Sequence, residues 1–179
     1  MEKRILGQCP LCGGNVIKTS KGYKCENNIS EPTKCNFFIN SIIGNRRMAE
    51  HEISQLLSDK EIMLDGFISR ENKSFPTVLH LTPDGKISMD ASVAKCPHCG
   101  GDIRVNSRGF GCSNYHHPDN PCAFTVWRNI GGHDVSLQEI KEICCLGATS
   151  EPVELFLDDG SIYLKKLGLD QDKLKIIKI

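Results

Sequence analysis

The stretch Cys9-Pro10-Leu11-Cys12-Gly13-Gly14 decides the fold, because Cys96-Pro97-His98-Cys99-Gly100-Gly101 repeats it 87 residues later. At the same offset Cys25 and Cys35 fall on Cys112 and Cys122, so eight of the ten cysteines keep register without a gap. The match continues through Gly22-Tyr23 on Gly109-Phe110, Phe37 on Phe124, Ile43-Gly44 on Ile130-Gly131 and Glu52-Ile53 on Glu139-Ile140. Self-similarity at one fixed period marks a tandem array. Two similar units are expected, about 1–92 and 93–179.

Each unit offers four cysteines in two pairs. In the first pair two residues separate the cysteines, and a tight turn there lets both sulfurs face one ion. Proline at the second position fixes one dihedral, and the glycine after the pair accepts positive φ. Zinc takes four thiolates tetrahedrally with no preference of its own, so the sequence predicts two structural zinc ions per chain. Their expected ligands are Cys9, Cys12, Cys25 and Cys35, then Cys96, Cys99, Cys112 and Cys122. Disulfide pairing or inert core thiols would be the competing reading. A reducing cytoplasm opposes the first, and the duplicated spacing opposes the second. Four thiolates leave no open position, so hydrolytic metal chemistry is not expected.

Cys144 and Cys145 have no counterpart in the first unit; they read as core packing and a tolerated surface thiol. His116 and His117 lie six and five residues before Cys122 and could replace a ligand. A solvated loop is the simpler reading, because Cys122 already matches Cys35. His98 reads as a turn residue.

Composition frames the rest. With 25% charged and 39% apolar residues in 179, the chain is neither disordered nor membrane-spanning by composition. The start is basic without an apolar stretch behind it, so no secretory signal is expected and the cytoplasm is the expected location. Net charge is zero, yet residues 1–50 hold eight Lys/Arg against four Asp/Glu. This local excess hints at an anionic partner.

The expected fold class is small α+β, in two tandem modules. Each is a β-rich four-cysteine ribbon (about 5–44 and 93–131) followed by one helix and a small antiparallel sheet. Apolar residues at helical spacing predict helices over 49–58 and 137–146. Ser136 with Glu139 forms a capping box that Ala49 cannot complete. Strands are expected at 62–68, 75–81 and 86–89, and again at 153–157, 161–167 and 174–179.

Cys-Pro-x-Cys-Gly-Gly, then Gly-Tyr/Phe-x-Cys, then Cys-x-Phe, resembles the zinc ribbons at the C-terminal end of type IA DNA topoisomerases. Behind the first ribbon, Ile43-Gly44-Asn45-Arg46, Gly66-Phe67, Lys73-Ser74-Phe75 and Asp84-Gly85-Lys86-Ile87 are similar to the C-terminal repeat of topoisomerase III-like enzymes. The second unit gives only a loose echo of that repeat. The clustered acids and tyrosine nucleophile of the catalytic domains have no counterpart here, nor does a phosphate-binding loop or a hydrolase triad. A free-standing accessory module or a fragment, and no enzyme, is therefore expected.

The resemblance implies binding of nucleic acid, single-stranded DNA in particular, by stacking on aromatics with cations along the backbone. Carried onto this sequence, the stacking candidates are Tyr23, Phe38, Phe110 and Trp127, with Phe37 beside them. The phosphate candidates are Lys24, Lys34, Arg46, Arg47, Arg104, Arg108 and Arg128, with Lys18 and Lys21. The competing accounts are ribbon core for the aromatics and a solvated face for the lysines. The alternative function is a protein-interaction adaptor that docks on a DNA-processing or transcription enzyme. No membrane and no small-molecule substrate are expected as partners.

Overall fold

The computed structural model describes residues 4–28 and 34–179; the basic start at residues 1–3 lies outside them. The chain forms two compact units, Met1–Asp90 and Ala91–Ile179. Among the described residues, no helix is long and apolar enough to cross a membrane.

In the first unit, strands β1 (Ile5–Gln8), β2 (Asn15–Lys18), β3 (Gly22–Cys25) and β4 (Phe38–Asn40) form an antiparallel sheet in chain order. A short hairpin, β5 (Ile42–Ile43) and β6 (Arg46–Arg47), leads into helix α1 (Glu50–Asp59). Strands β7 (Glu61–Ile68), β8 (Ser74–Leu81) and β9 (Ile87–Asp90) then make a three-stranded antiparallel sheet. The helix buries Ile53, Leu56 and Leu57, one apolar stripe at 3.6-residue spacing. That stripe packs on β1 of the ribbon as well as on β7 and β8. The result is one core that runs from Val16, Tyr23 and Phe37 through α1 to Phe67 and Leu79. Each such buried aliphatic side chain contributes about 1.5–3 kcal/mol.

The second unit repeats this at the same offset. Strands β10 (Ser92–Lys95), β11 (Asp102–Val105), β12 (Gly109–Cys112) and β13 (Thr125–Trp127) form its ribbon sheet. The hairpin β14 (Asn129–Ile130) and β15 (His133–Asp134) leads into helix α2 (Leu137–Leu146). Even the irregularity between Ile5 and Gly7 recurs between Ser92 and Ala94.

The helix ends differ in chemistry. Ser136 Oγ accepts from the Glu139 amide at 3.2 Å, and Glu139 accepts from the Ser136 amide at 2.7 Å. At α1 only the second half survives: Glu52 accepts from the Ala49 amide at 2.8 Å, and Ala49 has no oxygen to return. Both helices end on a left-handed residue, Gly147 in α2 but Lys60 in α1.

Behind α2 the expected strand at 161–167 is instead two, β17 (Ile162–Lys165) and β18 (Leu167–Asp170). They pair respectively with β16 (Val153–Phe156) and β19 (Lys175–Lys178). The cause lies across the sheet in Ala148-Thr149-Ser150-Glu151-Pro152. The buried Thr149 hydroxyl donates to the Glu151 carbonyl at 2.9 Å and accepts from the Leu167 amide at 3.1 Å. Pro152 has no amide to offer a ladder. One long edge strand is thereby reduced to the bridge Ala148–Gly168 and the short β16.

Candidate metal centres and nucleic-acid interface

The two cysteine turns are built alike. Gly13 and Gly100 adopt φ of 72° and 74°, and their amides donate to the Cys9 and Cys96 carbonyls, each at 2.9 Å. Returning bonds from the Cys9 and Cys96 amides reach Gly14 and Gly101, each at 2.7 Å. The second glycine of each pair serves a different need. A Cβ on Gly14 would stand 2.6 Å from Asn27 Nδ2, and one on Gly101 2.9 Å from Asn114 Nδ2. Those amides lie 3.6 Å from Cys12 Sγ and 3.5 Å from Cys99 Sγ, the more accessible thiols of each set. Asn27 and Asn114 are again 87 residues apart. Each steadies an outer sulfur, as groups behind metal ligands commonly do.

The four sulfurs of each set lie within 4.8 Å of one another, in the sets Cys9, Cys12, Cys25, Cys35 and Cys96, Cys99, Cys112, Cys122. Cys9 and Cys35 are 3.6 Å apart, Cys12 and Cys25 3.4 Å; the matching pairs are 3.7 and 3.4 Å. A tetrahedron with zinc–sulfur bonds of about 2.3 Å has edges of about 3.8 Å, whereas a disulfide needs about 2.05 Å. All ten thiols are free. The donor set, its size and its closure fit two structural zinc ions.

The outer and inner thiols of each set differ in their surroundings. Hydrogen bonding by the Gly14 and Gly101 backbone lowers the Cys12 and Cys99 thiols to about 7. Burial pushes Cys25 up to about 12 and also raises Cys35, Cys112 and Cys122. Buried thiolates of this kind need a metal charge among them.

Neither His116 nor His117 joins the second set. His116 lies edge-on to Tyr115, and His117 Nδ1 accepts from the Asn120 amide at 3.1 Å. The histidine that does approach is His98, with Nδ1 3.6 Å from Cys122 Sγ. Cys144 is buried, which pushes its thiol up to about 12, and Cys145 is exposed.

The stacking candidates separate sharply. Tyr23 and Phe110 are 2% and 0% exposed, so neither can offer a ring to a base. The reason is strand periodicity: each stands two residues before an inward-facing cysteine and shares its face. The Tyr23 hydroxyl is spent on the Met48 carbonyl at 2.8 Å. Phe37, two residues after Cys35, is buried as well. Phe38 and Trp127 lie on the outer face of the edge strands and are 40% and 59% exposed.

Among the cations, Arg46 is half-buried and already engaged. Its guanidinium holds Glu52 with two bonds, donates to the Asp65 carbonyl at 2.6 Å and lies over the Phe67 ring. Lys18 pairs with Glu50 at 2.7 Å. Lys34, Arg47, Arg104 and Arg108 are exposed, while Lys24 and Arg128 are half-buried.

The second ribbon's outer face gathers several of these. Arg104 stands opposite Gly111, Gly111 opposite Thr125, and Gly109 opposite Trp127. Neither glycine puts a side chain on the face that carries the indole; Gly109 itself is buried and Gly111 half-buried. A residue the sequence did not single out, Lys175 of β19, lines a cleft of about 240 Å³ with Thr125, Trp127, Ile130 and Ile176. No local motif marks Lys175, because it reaches Trp127 only through the hairpin's return.

Comparison with known families places these features. Residues 34–90 match the C-terminal repeat of topoisomerase, and residues 5–42 match the zinc-ribbon fold of the PADR1 domain. No curated protein and no solved structure matches the chain. Both matched modules are accessory in type and not catalytic. The first half of the chain therefore carries a topoisomerase-like C-terminal zinc-ribbon region, of a zinc-binding, nucleic-acid-related kind.

Proposed function

We propose that this chain is a non-catalytic binder of single-stranded nucleic acid, DNA first, held in shape by its two zinc ions. The observation that carries the reading is Trp127, exposed on a glycine-floored strand face with Arg104 on the same face and Lys175 across a cleft. An unstacked base gains about 1–3 kcal/mol on such a ring, whatever its identity, while cations follow the phosphates. Phe38, with Lys24 opposite it, gives the first ribbon a smaller version of the same face. Lys34 and Arg47 add exposed cations to the first unit, and Arg108 adds one to the second.

Trp127 is the chain's single tryptophan, so its fluorescence reports on this face alone. The test is a titration of zinc-loaded protein with an oligothymidylate and with a duplex, at low and moderate salt. Quenching by the single strand, weakened steeply by salt, is expected. Trp127→Ala should lower affinity roughly tenfold, the lower end of the stacking range, without zinc loss. Absent binding, or binding indifferent to salt, overturns the reading.

A further inference from the structure

The first unit contains a groove of about 590 Å³ whose lining shares Phe38 alone with the proposed nucleic-acid faces. It runs between two sheet edges: among the described residues, β4 pairs with β3 alone and β9 with β8 alone. Its floor includes buried Phe37 and Ile39, and its walls carry Leu11, Phe38, Ile42 and Met89, all 40–52% exposed. Among the lining residues only Asp84 and Lys86 are charged, and they neutralise each other at 2.7 Å.

The second unit serves as an internal control. Its ribbon strands fall at the same offset, yet Leu11, Phe38 and Ile42 correspond there to His98, Thr125 and Asn129. The ribbon therefore does not require apolar residues at these three positions in order to fold. The first unit exposes them together, facing Met89 of β9, where water would otherwise cover them.

We propose that this groove docks a partner polypeptide in extended conformation, with apolar side chains at alternate positions, added as a strand along β4. An open edge strand offers main-chain hydrogen bonds in one row, and an apolar groove beside it accepts every second side chain. A phosphate-bearing chain finds the opposite: Lys86 is already paired, and Asp84 repels it. The first unit thereby acquires a protein-binding role that is separate from the Trp127 face.

The test uses the full zinc-loaded chain and a displayed library of linear 12-residue peptides. A double variant, Leu11→His with Ile42→Asn, borrows the residues that the second unit already tolerates. Zinc content and melting temperature of the variant serve as the folding control. Selected peptides should share apolar residues two positions apart and should bind the variant at least tenfold more weakly. Amide shifts on peptide addition should concentrate at 38–40 and 87–89. Three results overturn the proposal. No peptide is enriched over the variant; an oligothymidylate shifts the same amides and loses affinity in the variant; or the chain dimerises in a concentration-dependent way that the variant abolishes, so that a second copy fills the groove.

Discussion

Arg46 clamps Glu52 with hydrogen bonds of 2.8 and 2.5 Å, and 87 residues later His133 takes the arginine's place over Glu139, 3.0 Å from both carboxylate oxygens. In each unit the same carboxylate also accepts an amide at the helix start, from Ala49 or Ser136. One acid thus ties the β-hairpin to the first turn of the helix. A guanidinium stays charged at every physiological pH, whereas an imidazole is charged only when protonated. The first clamp therefore keeps its charge.

The pH response of the first unit follows from Glu52. The Arg46 hydrogen bond holds its carboxyl below the ordinary value of 4.5, against the opposing effect of burial. A depressed folded value means the stabilisation is complete above the unfolded value and is lost as pH falls through the folded one. Urea midpoints should therefore hold from neutrality down to about pH 5 and decline below about 4.5. Arg46→Ala should cost about 3 kcal/mol at neutral pH, because it strands a buried carboxylate.

Metal removal should be severe. Structural zinc supplies on the order of 10–16 kcal/mol to small four-ligand sites. Freshly purified, reduced protein should carry two equivalents of zinc. A strong chelator should abolish the ribbon signals in a two-dimensional amide spectrum. Acid should release the metal as well, since protons compete for the thiolates. Retention of ribbon signals after complete zinc loss would contradict this.

The paired glycines should fail in different ways. Gly13→Ala places a side chain in open space but in left-handed backbone, which costs about 1 kcal/mol. Gly14→Ala drives a Cβ into Asn27, the residue behind Cys12. It should release zinc faster to a chelator such as 4-(2-pyridylazo)resorcinol than Gly13→Ala does. The same order is expected for Gly101→Ala and Gly100→Ala.

Helix α1 should be easy to improve by copying α2. Ala49→Ser supplies the missing cap and should add about 1 kcal/mol. Lys60→Gly relieves φ of 67° at the C-cap and should add somewhat less than about 1 kcal/mol, offset by loss of the Lys60 bond to the Leu57 carbonyl. Thermal melts of both variants and their combination would check this.

The cysteine spacing made the metal centres legible, because a tetrahedral ion imposes fixed turns that only certain residues can make. Both helices were legible too, from apolar period and from Ser136. Tyr23 and Phe110 were misread, although the information was present: a residue two before an inward cysteine faces inward as well. Arg46 was misread because a cation's occupation depends on Glu52, which the hairpin brings close. The broken strand at Lys166 depends on Thr149 across the sheet, and Lys175 depends on the fold of the whole back half. Pairings made through tertiary structure leave no local trace.

The single stripe on α1 touches β1 on one side and β7 and β8 on the other. A cut near residue 44 would therefore not yield a finger and a separate tail. It would leave Leu6 and Val16 bare on one fragment and Ile53 and Leu56 bare on the other. Swapping, trimming or grafting parts of this protein respects its physics only when about ninety residues travel together, metal turn and helical wedge alike.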